Sequence, residues 1–437
     1  MFRIVRLEAK RSIALPLLLV LAALSRAFLW MDIQEWAASW ASLVQSARAI
    51  AWVSLPVALA AGIWHGGRER RNKVSELFAA TPRPRPVRLL PAFVAIVGAV
   101  VIAEAGVVVW AAALIARHAT YSGGLWPLGL AVGLLAAIAV TLLGLGIGRA
   151  VATPVAAPLA AVALFLVLAV SADERPANRL VDVVLPMLPK TDDFHRVLPS
   201  LSVSQCVWFA ALGATGVLLT VAGTRRARWL ALTPAAAGIV LAALLAPSGA
   251  IVRDPQATAL VCARENNRIC VTKVHTHALP ALVAPAQKVL DAFAEVPGGP
   301  QRVEEKPESW KLDAAAPASH GRNRGTVRIE LPQLTQSGSI RWKPDVLLSA
   351  IAQDTMFDEA CYSGEKDFTR ATDASDAVAA LLLRTPTDEL SPGARKAYDT
   401  LRPLPAKERY SRIGDGRKAG LTCGDPLAVI MGRGAGR

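Results

Sequence analysis

The stretch GGRERRNKVSELFAATPRPRPVR, residues 66–88, decides how this chain is to be read. It sets seven basic residues and three prolines between two apolar runs, 47–65 and 90–116. A surface loop of a soluble protein needs no such concentration of positive charge. A connection between two membrane helices does, because Lys and Arg are retained on the cytoplasmic side of a bilayer.

The rest of the chain fits that reading. Of its 437 residues 53% are hydrophobic, and the apolar content is uneven: residues 1–247 carry 33 charged side chains and residues 248–437 carry 49. The first part reads as a membrane region and the second as a water-soluble domain of ordinary size. The net charge of +14 divides into +11 for residues 1–247 and +3 for the remainder. The excess therefore lies between apolar runs, where the retention rule explains it, and nucleic acid is not an expected partner.

A helix needs roughly 20 apolar residues to cross a hydrocarbon core of about 30 Å. Seven stretches qualify: 12–30, 47–65, 90–116, 126–148, 153–171, 204–223 and 229–247. The first lacks a small-residue cleavage site and is followed by others, so it reads as a retained helix. With the N-terminus inside, the inner segments 1–11, 66–88, Arg149 and 224–228 hold 15 basic residues. The outer connections 31–46, 117–125 and 172–203 hold five, against seven acidic ones. An odd number of spans then puts residues 248–437 outside the cell. Four of the five cysteines fall in that region, and two disulfides are expected, Cys262–Cys270 and Cys361–Cys423, with Cys206 free. The alternative is four free thiols in a cytoplasmic domain, which would require the charge rule to fail as well.

Three features of residues 1–223 resemble the permease subunit of ABC transporters of the ABC-2 exporter type. The basic amphipathic segment MFRIVRLEAKR before the first span is similar to that family's interfacial elbow helix. RERRNKVSELFAATPRPR is similar to its coupling region, and ADERPANRLVDVVLPMLPKTDDFHRVLPSLS is long enough for its outer re-entrant hairpin. A seventh span and a large outer domain depart from the six-span core of that family. The resemblance implies a separate ABC ATPase subunit as partner and a dimer of membrane subunits in the bilayer.

Absent motifs agree with a separate ATPase. The chain has no phosphate-binding G-x-x-x-x-G-K-[ST] loop; GDGRKAG (414–420) has the wrong spacing and reads as a surface turn. Residues 68–80 read as one helix with Val74, Leu77 and Phe78 on one side, stopped at Thr81-Pro82. That apolar face, with Arg70 at its rim, suits docking into an ATPase groove; a basic helix lying on anionic headgroups is the alternative. Glu104, near the middle of the third span, is costly in lipid and is expected to face the bundle interior, lining a substrate path or holding helices together. Arg26 and Arg48 are expected to snorkel to the outer interface, and Trp30, Trp36, Trp40 and Trp52 to anchor there.

Residues 248–437 read as mixed α/β. ALVCARENNRICVTKVH alternates as two strands around ENNR, ALPALVAPAQKVLDAFAEV, KPDVLLSAIAQDTM and ASDAVAALLLRT have helical spacing, and GTVRIELP is strand-like. His275 and His277 would share one face of a strand, but no C-x-x-C, H-E-x-x-H or G-x-S-x-G accompanies them. No cofactor, metal or catalytic residue is expected. The sequence thus points to a membrane all-α helical bundle of about seven spans (1–247) followed by a soluble mixed α/β exoplasmic domain (248–437). The expected role is a permease-like subunit of an ATP-driven ABC exporter in the cell membrane. Two rivals stand beside it: a membrane-anchored exoplasmic ligand-binding or sensor protein, and an exoplasmic hydrolase of unrecognised chemistry.

Overall fold

The structure is a computed structural model. It describes residues 2–37, 39–73, 85–124, 126–151, 153–172, 178–188, 193–264, 267–307, 325–331, 339–362 and 364–432. The chain divides into two units, the first formed by residues 1–117 and 121–254 and the second by 118–120 and 255–437.

The first unit is helical because its residues are apolar over lengths that only a helix can bury without stranding backbone groups. Five helices are long and apolar enough to cross a membrane: Ala14–Met31, Val87–Ile115, Trp126–Val151, Pro199–Val221 and Arg225–Leu245. A sixth candidate is the pair Trp40–Ala49 and Ala51–Gly66, bent by 40°. The remaining expected stretch, 153–171, is the shorter helix Ala156–Ala172. Outward-facing Leu19, Val109, Leu159, Val167 and Leu244 are all more than half exposed, as a lipid-facing surface requires. The chain is a multi-pass membrane protein.

Contacts at the two ends of the bundle show how the chain is threaded. At one end Glu8 pairs with Arg68 at 2.7 Å and Glu69 with Arg149 at 2.9 Å, joining segments 1–11, 66–73 and the end of the Trp126–Val151 helix. At the other, Trp40 lies over Trp126 at 4.5 Å and Tyr121 donates to Asp254 at 2.6 Å. There, too, β1 (His195–Val197) pairs antiparallel with β2 (Ile251–Arg253). Of the seven expected spans, five helices qualify by length and composition, or six with the bent pair counted as one. Arg68 and Arg149 thus lie at the first end, and Trp40, Tyr121 and His195–Val197 at the second.

Trp126–Val151 is the hub. A Cβ on Gly62 would fall 2.4 Å from the Thr141 carbonyl oxygen, and one on Gly148 2.0 Å from that of Ile63. The glycines at 62 and 66 and at 144 and 148 thus form a small-xxx-small seam that brings two backbones into contact, which compensates for the weak hydrophobic drive between helices in lipid. On another face, a Cβ on Gly216 would meet the Leu142 carbonyl carbon at 2.4 Å, so Pro199–Val221 packs by the same device. Leu21, Leu55, Ile63, Ile96, Val100 and Val132 fill the space around the hub.

The second unit carries a four-stranded sheet, β3 (Leu260–Cys262), β4 (Ile269–Thr272), β5 (Arg302–Glu305) and β6 (Thr326–Ile329), in that spatial order. β3 and β4 are antiparallel and the other pairs parallel. The Leu279–Ala292 helix makes the crossover from β4 to β5, as parallel neighbours require. β4 is buried along its whole length, and Phe293, Val303, Val327 and Ile351 complete the core beside it. Helices Pro344–Met356, Glu365–Leu382, Pro392–Leu401, Ala406–Gly420 and Pro426–Ile430 follow. Both expected disulfides are present, Cys262–Cys270 between directly opposed residues of β3 and β4 and Cys361–Cys423 across the helical part, and Cys206 is free.

Four expectations are corrected. GDGRKAG is not a surface turn but the second half of the Ala406–Gly420 helix, where Gly414 and Gly420 lie against the carbonyls of Pro297 and Met356. The helix expected over 68–80 ends at Arg71, and Lys73 turns into the left-handed region at φ 54°. His275 and His277 lie on the 3-10 turn Lys273–Ala278 rather than on a strand, with rings edge to face at 6.3 Å. Trp36 is not an interfacial anchor: it is fully buried, donating from Nε1 to the Leu29 carbonyl at 2.8 Å.

Candidate functional site

Charged and polar side chains inside an apolar bundle mark where function resides, since each costs free energy that packing alone does not repay. Three such places stand out in the first unit. Val74, Leu77, Phe78 and Thr81, the expected ATPase-docking residues, lie outside the described residues. Arg70 is described and exposed on the one-turn helix Arg68–Arg71.

The first place lies beneath that connection. Glu8 of the Phe2–Arg11 helix accepts from Arg68 at 2.7 Å, with His65 Nε2 3.7 Å away. Glu69 accepts from Arg149 at 2.9 Å and has Arg88 at 4.0 Å. Two glutamates thus tie together four segments that are remote in sequence. Arg68, Glu69 and Arg149 line a small cavity of about 40 Å³ that also reaches Phe93, Leu145 and Thr220.

The second place is Glu104. Both its carboxyl oxygens accept from the Ser25 hydroxyl at 3.3 Å, and Ser54 is a further partner. Ser25 and Ser54 are buried, so the carboxyl sits where the helices Ala14–Met31, Ala51–Gly66 and Arg85–Ile115 meet. Hydroxyl partners from two other helices make this position an inter-helix tie.

The third is Arg48, which does not snorkel as expected. It is 2% exposed. Its Nε donates to the Pro186 carbonyl at 2.6 Å and Nη2 to Gln205 Oε1 at 2.7 Å. Gln205 Nε2 in turn donates to the carbonyls of Asp182 and Leu185 at 2.7 and 2.8 Å. Gln205 thus holds the end of the Arg179–Val184 helix against the bundle and presents its own oxygen to the guanidinium. Arg26, by contrast, is exposed and lies 4.0 Å from the Trp110 ring centroid. Arg48 also lines a cavity of about 200 Å³, walled by Val44, Trp126, His195, Arg196, Val197 and Ser202 among others. Sequence reasoning missed this site because its polar partners lie 138 and 157 residues further along the chain. The one available signal was an arginine inside an otherwise apolar, helix-spaced run.

The second unit holds a buried His–Glu pair. His275 Nδ1 contacts Glu305 Oε1, while Glu305 Oε2 accepts from the Thr272 amide at 2.6 Å and its hydroxyl at 2.7 Å. Among the described residues no three His, Cys, Asp or Glu side chains gather as a metal site. Asp354 is pushed up to about 7, chiefly by burial and then by the nearby carboxylates Glu330 and Glu359.

No protein-family model matches the chain, and neither the curated proteins nor the solved structures contain a match to it.

Proposed function

We propose that the chain is the membrane subunit of an ATP-driven exporter of the ABC type, acting as a pair with a separate ATPase. The observation that carries this reading is the ion-paired assembly of Glu8, Arg68, Glu69, Arg88 and Arg149 beneath the 66–88 connection. A force applied to that connection reaches the N-terminal amphipathic helix, the start of the Arg85–Ile115 helix and the end of the hub helix together. A topology signal needs positive charge alone; it does not need two glutamates bridging four segments. The N-terminus is cytoplasmic on this reading and the disulfide-bonded unit faces the oxidising exterior, in keeping with the distribution of Lys and Arg.

The test is co-purification of an ABC ATPase encoded beside this chain. Leu77→Ala with Phe78→Ala should abolish capture while membrane insertion stays normal, because interface anchors typically cost more than about 1–2 kcal/mol on truncation. Arg70→Ala, at the rim, should weaken it modestly and make it more salt-sensitive. Full ATPase capture by the double variant, or no capture by the wild type, would remove the reading.

A further inference from the structure

Arg48 combines three properties that ordinary structural arginines do not. Its guanidinium is withdrawn from water, with 2% of the residue exposed. It makes no ion pair among the described residues, since both its acceptors, the Pro186 carbonyl and Gln205 Oε1, are neutral. Its Nη1 has no hydrogen-bond partner there at all. Removing a charge from water costs several kcal/mol unless an opposite charge and full hydrogen bonding offset it. An arginine cannot escape by losing its proton at physiological pH, so the imbalance persists until an anion arrives.

The surroundings fit an anion. The cavity that Arg48 lines contains a second arginine, the exposed Arg196, together with His195 and Ser202, and no carboxylate among the described lining residues. The nearest connections do carry carboxylates, but Asp193 accepts from Ser39 and Ser42, and Asp254 accepts from Tyr121. At about 200 Å³ the space is below the roughly 300–1,000 Å³ of sites that enclose drug-sized ligands, so it takes a small group and not a whole lipid or peptide. Val44, Trp126 and Val197 give it apolar walls that strengthen electrostatic attraction by excluding water. It lies at the end of the bundle where the 31–46, 117–125 and 172–203 connections meet.

We propose that this cavity binds an oxyanion, a phosphate or carboxylate group carried by a small solute or by a lipid headgroup, with the incompletely paired guanidinium of Arg48 as one cation and Arg196 as the second. The site is independent of any ATPase, because binding is a property of the isolated chain.

The experiment uses the full-length chain in phosphatidylcholine nanodiscs. Inorganic phosphate and acetate are titrated by calorimetry, and discs containing phosphatidylglycerol are analysed by native mass spectrometry for retained lipid. Saturable binding of phosphate or acetate identifies a small solute as the source; retention of phosphatidylglycerol without binding of either ion identifies a headgroup. In either case Arg48→Gln should lower affinity at least ~10-fold, the loss expected for a hydrogen bond to a charged group. Arg196→Gln should lower it ~3-fold and flatten its salt dependence. Val197→Trp, which fills the cavity from β1 while leaving the Pro186 and Gln205 contacts of Arg48 in place, should abolish binding and serves if Arg48→Gln fails to insert. The proposal is overturned if no probe binds the wild type saturably, or if either Arg48→Gln or Val197→Trp binds as the wild type does.

Discussion

Arg48 in the helical bundle and Glu305 in the C-terminal unit are both withdrawn from water, and the two regions treat them oppositely. Glu305 has both carboxyl oxygens engaged, by His275 and by two donors of Thr272, next to the fully buried strand β4. Arg48, which lines a cavity, has two neutral acceptors and one nitrogen without a partner among the described residues. A satisfied buried group fixes a fold; an unsatisfied one reserves a place for something else. The same contrast runs through the packing. The bundle relies on glycine seams and sparse polar ties, while the C-terminal unit has two disulfides and an apolar core to hold it.

The sharpest test of that contrast is Glu305→Ala. It leaves His275 and Thr272 without their partner in the core, and breaking one side of such a pair costs about 3–5 kcal/mol. Protease digestion of the purified protein should show the C-terminal unit opened while anion binding at Arg48 persists. If the unit keeps wild-type resistance, Glu305 does not hold the fold and the contrast fails. A bundle-side counterpart is Gly148→Leu, whose side chain would start 2.0 Å from the Ile63 carbonyl oxygen. Overpacking of this kind costs about 1–3 kcal/mol, and membrane accumulation should fall with no change in disulfide formation. Accumulation at the wild-type level would mean that the seam yields.

The smallest effect is conditional on pH. Burial and the neighbouring carboxylates push the Asp354 carboxyl up to about 7 in the folded state, from an ordinary value of 3.8. The folded unit therefore binds more protons than the unfolded one between those values. The resulting contribution is fully present below about pH 4 and is lost as pH rises through about 7. Protease resistance of the C-terminal unit should decline from pH 5.5 to pH 8, and Asp354→Asn should flatten that decline and raise resistance at pH 8. An unchanged slope in the variant would show that another group titrates.

What the sequence made legible was whatever repeats or sits close together. The apolar runs foretold the helices, and Cys262 and Cys270, eight residues apart around a turn, foretold an opposed strand pair. What it hid depended on partners far along the chain. The Ala406–Gly420 helix was invisible because its glycines, signs of a turn by local propensity, are there to let Pro297 and Met356 approach. Arg48 was misread for a related reason: near the end of a span an arginine ordinarily reaches for water, and only Gln205 and Pro186 show that this one turns inward. The Lys73 turn shows that helical spacing across 68–80 did not outweigh a local reversal of the backbone.

The Ala156–Ala172 helix has a consequence for the membrane around it. Seventeen residues at 1.5 Å each make about 25 Å, less than a typical hydrocarbon core of about 30 Å. Trp126–Val151 and Pro199–Val221, of 26 and 23 residues, are long enough to tilt within such a core. Were that helix to span the bilayer, thinning of the lipid beside it would be one way to match its length, at a cost of fractions of a kcal/mol per ångström that grows with bilayer thickness, so a sterol-thickened membrane would press hardest on that flank.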